Sequence, residues 1–271
     1  MIYQLEKSQY KKVFPLLEGG KNIIDIKAVL ETNNHGFVFA DSHNTPKTAL
    51  VWTKNGAFLV GDTKNDNFNN YFDEFINIII SPILKALNYD DFEVCGAIDE
   101  WNNIIESIFK KRKLNINMQS EYKFFGFQKG SLPDVNCNHE YKLCRVTKEL
   151  LNGGFKNIDF LTDGILIFWN TMEEFFQKGF GWCITCGDMI ISRCTCDYIY
   201  KNQRTLGIET YKDYRRKGFA RTVAIECLKH CHNHNYEVHW DCTNTNYASA
   251  ALAKSLGFKE EFEYKVYWFL M

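Results

Sequence analysis

Proline is scarce in this 271-residue chain, which has 4, and none follows Pro133. Because proline removes a ladder hydrogen bond, its absence leaves the second half free to form a continuous sheet. Neither sign of charge is in excess, since 32 Lys and Arg stand against 33 Asp and Glu. This balance argues against a protein that coats nucleic acid or an anionic membrane.

Long apolar runs are also lacking. The most apolar stretch, Phe75 to Leu87, contains Asn77 and Pro82, and it is shorter than the roughly 20 apolar residues that cross a bilayer. The first residues, Met1 to Lys7, turn polar at once and do not have the pattern of an export signal. We therefore expect a cytoplasmic protein whose 10 Cys are reduced thiols, mostly packed as small apolar side chains.

The composition is that of a folded protein, with 45% hydrophobic and 24% charged residues. The length suggests two domains. The polar run from Gln128 to His139, which contains Pro133, is the candidate linker. The sequence thus predicts an α/β fold in two parts: a smaller N-terminal α/β domain over residues 1–130 and a second domain over residues 139–271.

Hydrophobic periodicity predicts alternating helices and strands in both parts. In the first part, helices are predicted over Glu6–Leu17, Ile23–Glu31, Asp66–Leu87 and Ile98–Lys113, and strands over Gly36–Ala40, Ala49–Thr53, Ala57–Val60 and Phe92–Gly96. In the second part, strands are predicted over Tyr141–Val146, Phe180–Thr185, Met189–Tyr200, Thr205–Thr210 and Glu237–Asp241, helices over Thr147–Leu151, Met172–Lys178, Lys217–Asn233 and Tyr247–Leu256, and two terminal strands within Phe258–Met271.

A basic turn with one glycine separates a strand from the longest of these helices. The strand Leu206-Gly-Ile208 runs into this turn, which contains Gly218. Backbone N–H groups at a helix start have no partner within the helix and lie at its positive end, so they suit a phosphate. Gly218 lets an anion approach without a Cβ in the way. Four cationic side chains add to the positive charge: Arg215, Arg216, Lys217 and Arg221. The turn is predicted to bind an anion, the alternative being a solvated basic helix start.

The same residues resemble a known family. Arg215-x-x-Gly218-x-Ala220 is similar to the acetyl-CoA-binding signature, Gln/Arg-x-x-Gly-x-Gly/Ala, of the GNAT superfamily of N-acetyltransferases. Downstream, Asn246-x-x-Ser249 followed by Leu-Gly-Phe258 resembles the segment that closes the family's fold. The resemblance covers Tyr141 to Met271. Within the superfamily, Trp240-Asp-Cys242 and Gly179-Phe-Gly181 resemble the group that contains zwittermicin A resistance acetyltransferases. In that group a similar N-terminal domain precedes the catalytic one, and the stretch Phe37 to Trp52 is more loosely consistent with it.

The resemblance implies a mixed sheet, flanked by helices, in which the strands around Ile208 and Val238 part in a V. Acetyl-CoA as cosubstrate lies in that V, and the strand's backbone N–H at Ile208 or Thr210 meets the thioester carbonyl. The cofactor-binding residues implied are Ile208, Thr210, Arg215, Arg216, Lys217, Gly218, Phe219, Ala220, Arg221, Asn246 and Ser249. The partner implied is a small-molecule amine, which attacks the thioester directly.

The resemblance does not assign the groups that transfer protons, and several candidates remain. Many relatives have a Tyr, thought to protonate the departing thiolate, where Ala253 stands. Tyr247, Cys242, Ser249 and Tyr267 are the other possibilities. The candidate bases are Glu209 and Asp241, each with an ordinary structural use as its alternative.

Two groups of residues invite a metal site. Cys183-x-x-Cys186 with Cys194-x-Cys196 has four thiols that suit zinc, but alternation favours Cys194 and Cys196 as core. The histidines from His230 to His234 suit the end of a helix, so we expect no metal. Two alternatives to an N-acetyltransferase remain open: a non-catalytic acyl-CoA-binding regulatory module and a zinc-dependent interaction protein. No nucleic-acid or membrane partner is expected, and the oligomeric state is unknown.

Overall fold

The computed structural model describes residues 1–53, 56–127 and 140–271. The predicted linker, Gln128–His139, lies outside the described residues. The chain forms two compact units: the first comprises Met1–Gln119 and Glu263–Met271, and the second comprises Ser120–Phe262. The predicted domain limits, 1–130 and 139–271, stay a prediction.

The first unit alternates strands and helices. In chain order they are β1 (Tyr3–Gln4), a 3-10 helix (Lys7–Leu17), α1 (Ile24–Leu30), β2 (Phe37–Ala40), β3 (Thr48–Trp52), β4 (Ala57–Gly61), α2 (Asp66–Phe75), a π-helical turn (Ile76–Ile80), α3 (Ser81–Ala86), β5 (Asp91–Gly96) and α4 (Trp101–Ile108). The next strand, β6 (Asn115–Phe124), begins in the first unit and ends in the second.

The second unit continues with more strands than helices. Its elements are β7 (Tyr141–Arg145), α5 (Lys148–Leu151), α6 (Ile158–Leu166), α7 (Met172–Lys178), β8 (Gly181–Cys186), β9 (Met189–Tyr200), β10 (Gln203–Thr210), a short 3-10 helix (Lys212–Tyr214), α8 (Phe219–Asn233), β11 (Glu237–Thr243) and α9 (Tyr247–Leu256). The last strand, β12 (Phe258–Leu270), begins in the second unit and ends in the first.

Both units have a mixed sheet with the same local order. In the first, β2, β3 and β4 are successive antiparallel neighbours, and β5 pairs in parallel with β4. In the second, β8, β9 and β10 are successive antiparallel neighbours, and β11 pairs in parallel with β10. Helices α2 and α3 connect the parallel strands of the first unit, and α8 connects those of the second. Such a crossover is what parallel neighbours require.

Helix α8 packs on the sheet through the face that its sequence predicted. Val223, Ala224, Cys227 and Leu228 are buried in the core of the second unit. Cys194 and Cys196 of β9 are buried in the same core, and the Cys227 thiol donates to the Cys194 carbonyl at 3.3 Å. The prediction that alternation makes both β9 cysteines core residues is therefore confirmed.

Three sequence predictions were wrong in detail. A single strand, β12, replaces the two predicted terminal strands, because the segment from Phe258 onward contains neither Gly nor Pro to break it. The predicted helix Glu6–Leu17 is a 3-10 helix with Pro15 inside it. The predicted helix Ile98–Lys113 is shorter, since α4 starts at Trp101 and ends before a run of four basic residues that repel one another along a helix.

Helix α6 was not predicted at all. Gly164 lies inside it, and glycine disfavours a helix by about 1 kcal/mol relative to alanine. The structure gives the reason for this glycine, because an added Cβ would lie 2.1 Å from the Arg193 guanidinium. The local sequence around Gly164 does not indicate that the Arg193 side chain approaches from β9.

Candidate active site

Strands β10 and β11 separate within the second unit. Their parallel pairing runs from Gln203 with Glu237 to Thr205 with His239. Beyond those residues the strands continue to Thr210 and Thr243 without pairing to each other, as far as the described residues show. The parting opens a space at the carboxyl ends of two parallel strands, which is where α/β sheets commonly bind ligands.

The turn before α8 starts at the open end of β10. Arg216 has φ +62° and Gly218 has φ +86°, both in the left-handed region. Positive φ costs energy for a residue with a Cβ, so the strain at Arg216 marks a backbone shape that the surroundings enforce. Apart from its chain neighbours and the adjoining helix backbone, no atom of the described residues lies within 4 Å of the place where a Cβ on Gly218 would stand. The turn is thus exposed and open on that side.

The amide N–H groups of this turn are available. Helix bonding starts at Thr222, whose N–H donates to the Gly218 carbonyl at 3.1 Å. The N–H groups of Arg216 through Arg221 have no acceptor among the described residues, and no side chain caps the helix. Left-handed residues alternating with others turn successive N–H groups to one side, a geometry that holds anions.

Two of the four cationic side chains have protein partners. Arg215 Nε donates to the Thr210 carbonyl at 3.0 Å, which ties the turn to the end of β10. Arg221 Nη1 donates to the Ser255 carbonyl at 3.1 Å and to the Ser255 hydroxyl at 2.9 Å, which ties α8 to α9. Arg215 is exposed, so its remaining guanidinium N–H groups face solvent, whereas Arg221 is engaged in holding two helices together.

Phe219 anchors the start of α8 rather than lining the open side. It is 9% exposed, and its ring centroid lies 4.7 Å from that of Tyr141. Lys217 Nζ lies 5.2 Å from the centre of the Tyr214 ring. Aromatic packing therefore fixes the position of the turn whose amides are open.

Strand β10 carries Ile208, Glu209 and Thr210 into the parting. The Glu209 carboxylate pairs with Arg193 at 2.9 Å, and its side chain is 47% exposed. The Thr210 hydroxyl lies 2.8 Å from that of Ser192. These contacts fix the strand to β9 on one side and leave its other side facing β11, with which it no longer pairs.

The start of α9 meets β11 just beyond the end of the pairing. Asn246 is the N-cap of α9, and its Oδ1 accepts from the Ser249 N–H at 3.2 Å. The Trp240 indole donates to the Ser249 hydroxyl at 2.9 Å. Burial raises the pKa of the Cys242 thiol, and its interaction with Ser249 offsets part of that rise. Cys242 is thus a protonated thiol beside Ser249.

Of the two candidate tyrosines, one is exposed to solvent and the other belongs to the first unit. Tyr247 is 78% exposed at the first position of α9. Tyr267 is buried in the first unit, where its hydroxyl donates to Glu106 at 2.7 Å. Burial raises the pKa of Tyr267 further above its ordinary value. Ala253 is fully buried in α9.

The sequence reasoning missed one carboxylate that lies against β10. Asp197 on β9 is buried, and both of its oxygens lie against Gly207 of β10. Burial raises the pKa of this carboxyl to about 7, although Arg193 and a hydrogen bond from Thr195 lower it, and Asp241 raises it. The signal that could have found it was an acidic residue within a long buried strand, together with a glycine inside the next strand.

The candidate cysteines pack in or against the core, and the histidines lie at the end of α8. Among the described residues, no three His, Cys, Asp or Glu side chains are placed to share an ion. The His234 ring nitrogen lies 2.8 Å from the His230 carbonyl, and the His230 ring lies 4.4 Å from that of Phe180. Burial is the main cause that lowers the pKa of His230 to about 4. His230 is therefore a neutral packing residue.

Comparison with known proteins finds relatives that match over nearly the whole chain. A family model described as GNAT acetyltransferase matches residues 15–267. The uncharacterized N-acetyltransferase YdfB of Bacillus subtilis (strain 168) is 24% identical over 99% of this chain and 98% of its own.

Solved structures with similar folds also match most of the chain. A GCN5-related N-acetyltransferase-like protein from Streptococcus suis superposes with a TM-score of 0.71 at 18% identity, covering 96% of this chain and 98% of its own. A tandem GNAT protein from the clavulanic acid biosynthesis pathway gives 0.63 at 10% identity over 99% and 97%. Within the described part of the chain, no helix has the length and apolar character to cross a bilayer.

Proposed function

The chain belongs to the GNAT acetyltransferase family, and on that premise we propose that it transfers the acetyl group of acetyl-CoA to a primary amine of a small molecule. The observation that carries this proposal is the run of N–H groups without acceptors, from Arg216 to Arg221, beside two parted strands. The reaction proposed is direct attack of the amine on the thioester, without a covalent enzyme intermediate. A cytoplasmic location is part of the proposal, because acetyl-CoA is made inside the cell.

The turn suits the diphosphate of CoA. Open space lies at the Cβ position of Gly218, and exposed Arg215, Arg216 and Lys217 add positive charge. The backbone of Ile208 and Thr210 would hold the pantetheine arm and polarise the carbonyl, while Asn246 and Ser249 shape the far wall. When bound there, acetyl-CoA supplies a thioester carbon that an uncharged amine can attack.

The charges near the parting favour a cationic acceptor. Glu209 and Asp241 are exposed carboxylates on β10 and β11. An amine substrate arrives as an ammonium ion, and negative charge at the entrance steers it and holds it. Both residues stay candidates for acid–base work. The resemblance of Trp240-Asp-Cys242 to zwittermicin A resistance acetyltransferases supports a small molecule as the acceptor.

The proton donor to the CoA thiolate is proposed at the start of α9. Cys242 is a protonated thiol, and Ser249 links it to Trp240. Tyr247 is exposed to solvent, and Tyr267 donates to Glu106 in the first unit. The Cys242 and Ser249 pair is therefore the better source of a proton where Ala253 replaces the usual Tyr.

The first unit is proposed to be a degenerate copy of the same fold that does not bind acetyl-CoA. Its strand order repeats that of the second unit, as described above. A tandem arrangement also occurs in the clavulanic acid pathway protein with the similar fold.

The binding site is tested with Gly218→Asp. A carboxylate at this position would repel the diphosphate, and we expect CoA binding to become undetectable by calorimetric titration. Gly218→Ala keeps the charge unchanged and strains the backbone by about 1 kcal/mol. It should therefore bind CoA, more weakly than wild type.

Gly154→Asp is the matched control. Gly154 also has a positive φ, of +73°, with open space at its Cβ position, but it lies between α5 and α6. This variant should bind CoA as wild type does. Unchanged affinity in Gly218→Asp would remove the turn from the binding site.

Catalysis is tested separately from binding. Wild-type protein is incubated with acetyl-CoA and a panel of primary amines (tyramine, spermidine and glucosamine), and free thiol is followed. Acetylated product with thiol release supports the transferase. Tight CoA binding without turnover on any amine would favour the non-catalytic acyl-CoA-binding module instead.

A further inference from the structure

We propose that Asp197 is the catalytic residue that takes the proton from the acceptor amine, and that Gly207 is a glycine in order to give its carboxylate room at the parted strands. This inference rests on the proposed acetyl transfer to an amine, and it names the base for that reaction. Neither residue belongs to the signature by which the family was recognised.

The position of Asp197 is set by two neighbouring strands. On β9 it alternates with Cys194 and Cys196, which face the core beneath α8, so Asp197 lies on the opposite face. An added Cβ on Gly207 would lie 1.9 Å from Asp197 Oδ2 and 2.9 Å from Oδ1. The carboxylate therefore occupies the volume that a side chain on β10 would fill.

Gly207 lies where the two parallel strands have just separated. The pairing of β10 with β11 ends at Thr205, and Gly207 follows two residues later. A glycine inside a strand costs stability and marks a close approach by another group. Here the approaching group is the Asp197 carboxylate, which lies against β10 two residues beyond the end of its pairing with β11. The proposal places the meeting of amine and thioester beside it.

The other two carboxylates of the parting are less suited to the task. Glu209 is half exposed and already paired with Arg193 at 2.9 Å. Asp241 is exposed on β11. A general base must bind a proton more tightly than water does. Burial raises the pKa of a carboxyl and so provides this. Asp197 is 7% exposed, so its carboxylate is desolvated.

The charges that act on Asp197 come from three strands. Arg193 on its own strand favours the ionised form, as does the Thr195 hydroxyl at 3.0 Å. Asp241 on β11 disfavours it, and Glu209 on β10 shares the Arg193 guanidinium. Helix α6 packs on β9, and its Gly164 lies against the same Arg193 guanidinium. The resulting pKa of about 7 is where a general base works best at neutral pH.

The proton and electron changes balance. An ammonium ion gives one proton to the Asp197 carboxylate, leaving an uncharged amine and a neutral carboxyl. The amine lone pair then forms the C–N bond, and the C–S bond breaks with its electron pair on sulfur. The CoA thiolate takes a proton from the Cys242 and Ser249 pair, which regains one from the second proton that leaves the nitrogen, and Asp197 releases its own proton to water.

The test compares Asp197→Asn with wild type over pH 6 to 9, using whichever panel amine the wild type acetylates fastest. Asn keeps the shape and cannot accept the proton, so kcat/KM should fall about 100-fold or more at neutral pH. The inflection near pH 7 in the wild-type profile should disappear, while the Kd of acetyl-CoA stays within twofold. Hydroxylamine, which is already uncharged at neutral pH, should lose much less of its turnover.

Two further variants separate a base from a structural role. Gly207→Ala keeps the carboxylate but displaces it, and it should lose kcat/KM with the same flattened pH profile. Asp188→Asn, in the exposed turn between β8 and β9, makes the same chemical change away from the parting and should leave the kinetics unchanged.

The outcomes distinguish the two proposals. If Asp197→Asn keeps its kcat/KM within threefold and its inflection near pH 7, Asp197 is not the base, although the transferase stands. If the wild type binds acetyl-CoA but acetylates no amine, the proposed function falls, and the assignment of Asp197 falls with it.

Discussion

Asp197 couples activity to stability through a single buried carboxyl. Because burial favours its neutral form, its ionisation at higher pH costs folding free energy. Gly207 adds a second cost, since a strand glycine has no side chain to pack. Such paired costs on adjacent strands are typical of functional sites rather than of structural ones.

The pH dependence of stability follows from the direction of this pKa. The pKa of Asp197 is raised to about 7 in the folded protein, whereas an unfolded Asp has a pKa of about 3.9. The folded state therefore holds the proton more tightly, and the stabilisation present at low pH is lost as pH rises toward 7. Asp197→Asn removes this loss. Its stability relative to wild type should be about 2–3 kcal/mol more favourable at pH 8 than at pH 5.

The measurement is urea unfolding of both proteins at the two pH values. Taking the difference between pH values cancels any change in packing caused by the amide. Asp188→Asn again serves as the control and should show no comparable gain. An equal stability difference at pH 5 and pH 8 would mean that Asp197 does not titrate in this range.

Among the secondary-structure elements, the turn before α8 and the start of that helix contain two arginines, Arg215 and Arg221, whose side chains have different roles. Arg215 uses Nε to hold the Thr210 carbonyl and leaves its outer N–H groups in solvent. Arg221 bonds to Ser255 at the end of α9. The first is placed to meet a phosphate, and the second fixes the helix that presents the amides.

These arginines should therefore respond differently to substitution. Arg215→Ala should weaken CoA binding by about 1–3 kcal/mol, the worth of a charge-assisted hydrogen bond. It should change the thermal midpoint little, because the side chain is exposed. Arg221→Ala should lower the thermal midpoint more and CoA affinity less. Calorimetric titration and thermal unfolding of both variants check this, and equal losses of affinity would contradict the division.

The sequence was sufficient for the elements whose signals are local. The apolar spacing of Val223, Ala224 and Cys227 predicted the buried face of α8, and the glycine-containing turn before it predicted a helix start without a cap. Features that depend on distant residues were missed. Gly164 makes room for Arg193, and Gly207 makes room for Asp197. Within its own segment, a glycine that makes room for a distant side chain cannot be told from one that simply lowers the propensity for a helix or strand.

At the scale of the whole molecule, two units with the same strand order differ at one corner. In the first unit, side chains cap two N–H groups of the turn between β4 and α2: Asn65 Oδ1 accepts from the Phe68 N–H at 3.2 Å, and Asp62 accepts from the Lys64 N–H at 2.9 Å. Asp66 adds a negative charge in the first turn of α2. The turn therefore has two carboxylates, those of Asp62 and Asp66, against one lysine, Lys64, and this balance of charge disfavours a diphosphate.

We therefore predict one CoA per chain. Calorimetric titration of the full chain with CoA should give a stoichiometry near one, and Gly218→Asp should reduce it to zero. A stoichiometry of two in the wild type, falling to one in Gly218→Asp, would show that the first unit also binds the cofactor.

The organisation into two units was only partly accessible to sequence reasoning. The sequence predicted two parts from length and a polar run, but that run, Gln128–His139, lies outside the described residues. The assignment of Glu263–Met271 to the first unit depends on pairing of Tyr267 with Val94, far apart in the chain. Long-range strand pairing of this kind has no local sequence signal.

The central claim is that main-chain N–H groups from Arg216 to Arg221 hold the diphosphate of CoA. The most direct measurement is a crystal structure of the protein grown with CoA. The account predicts diphosphate oxygens within about 3.2 Å of several of these amide nitrogens, with the arm of CoA between β10 and β11. A structure in which CoA binds elsewhere, or in which these amides bond to protein acceptors instead, would contradict it.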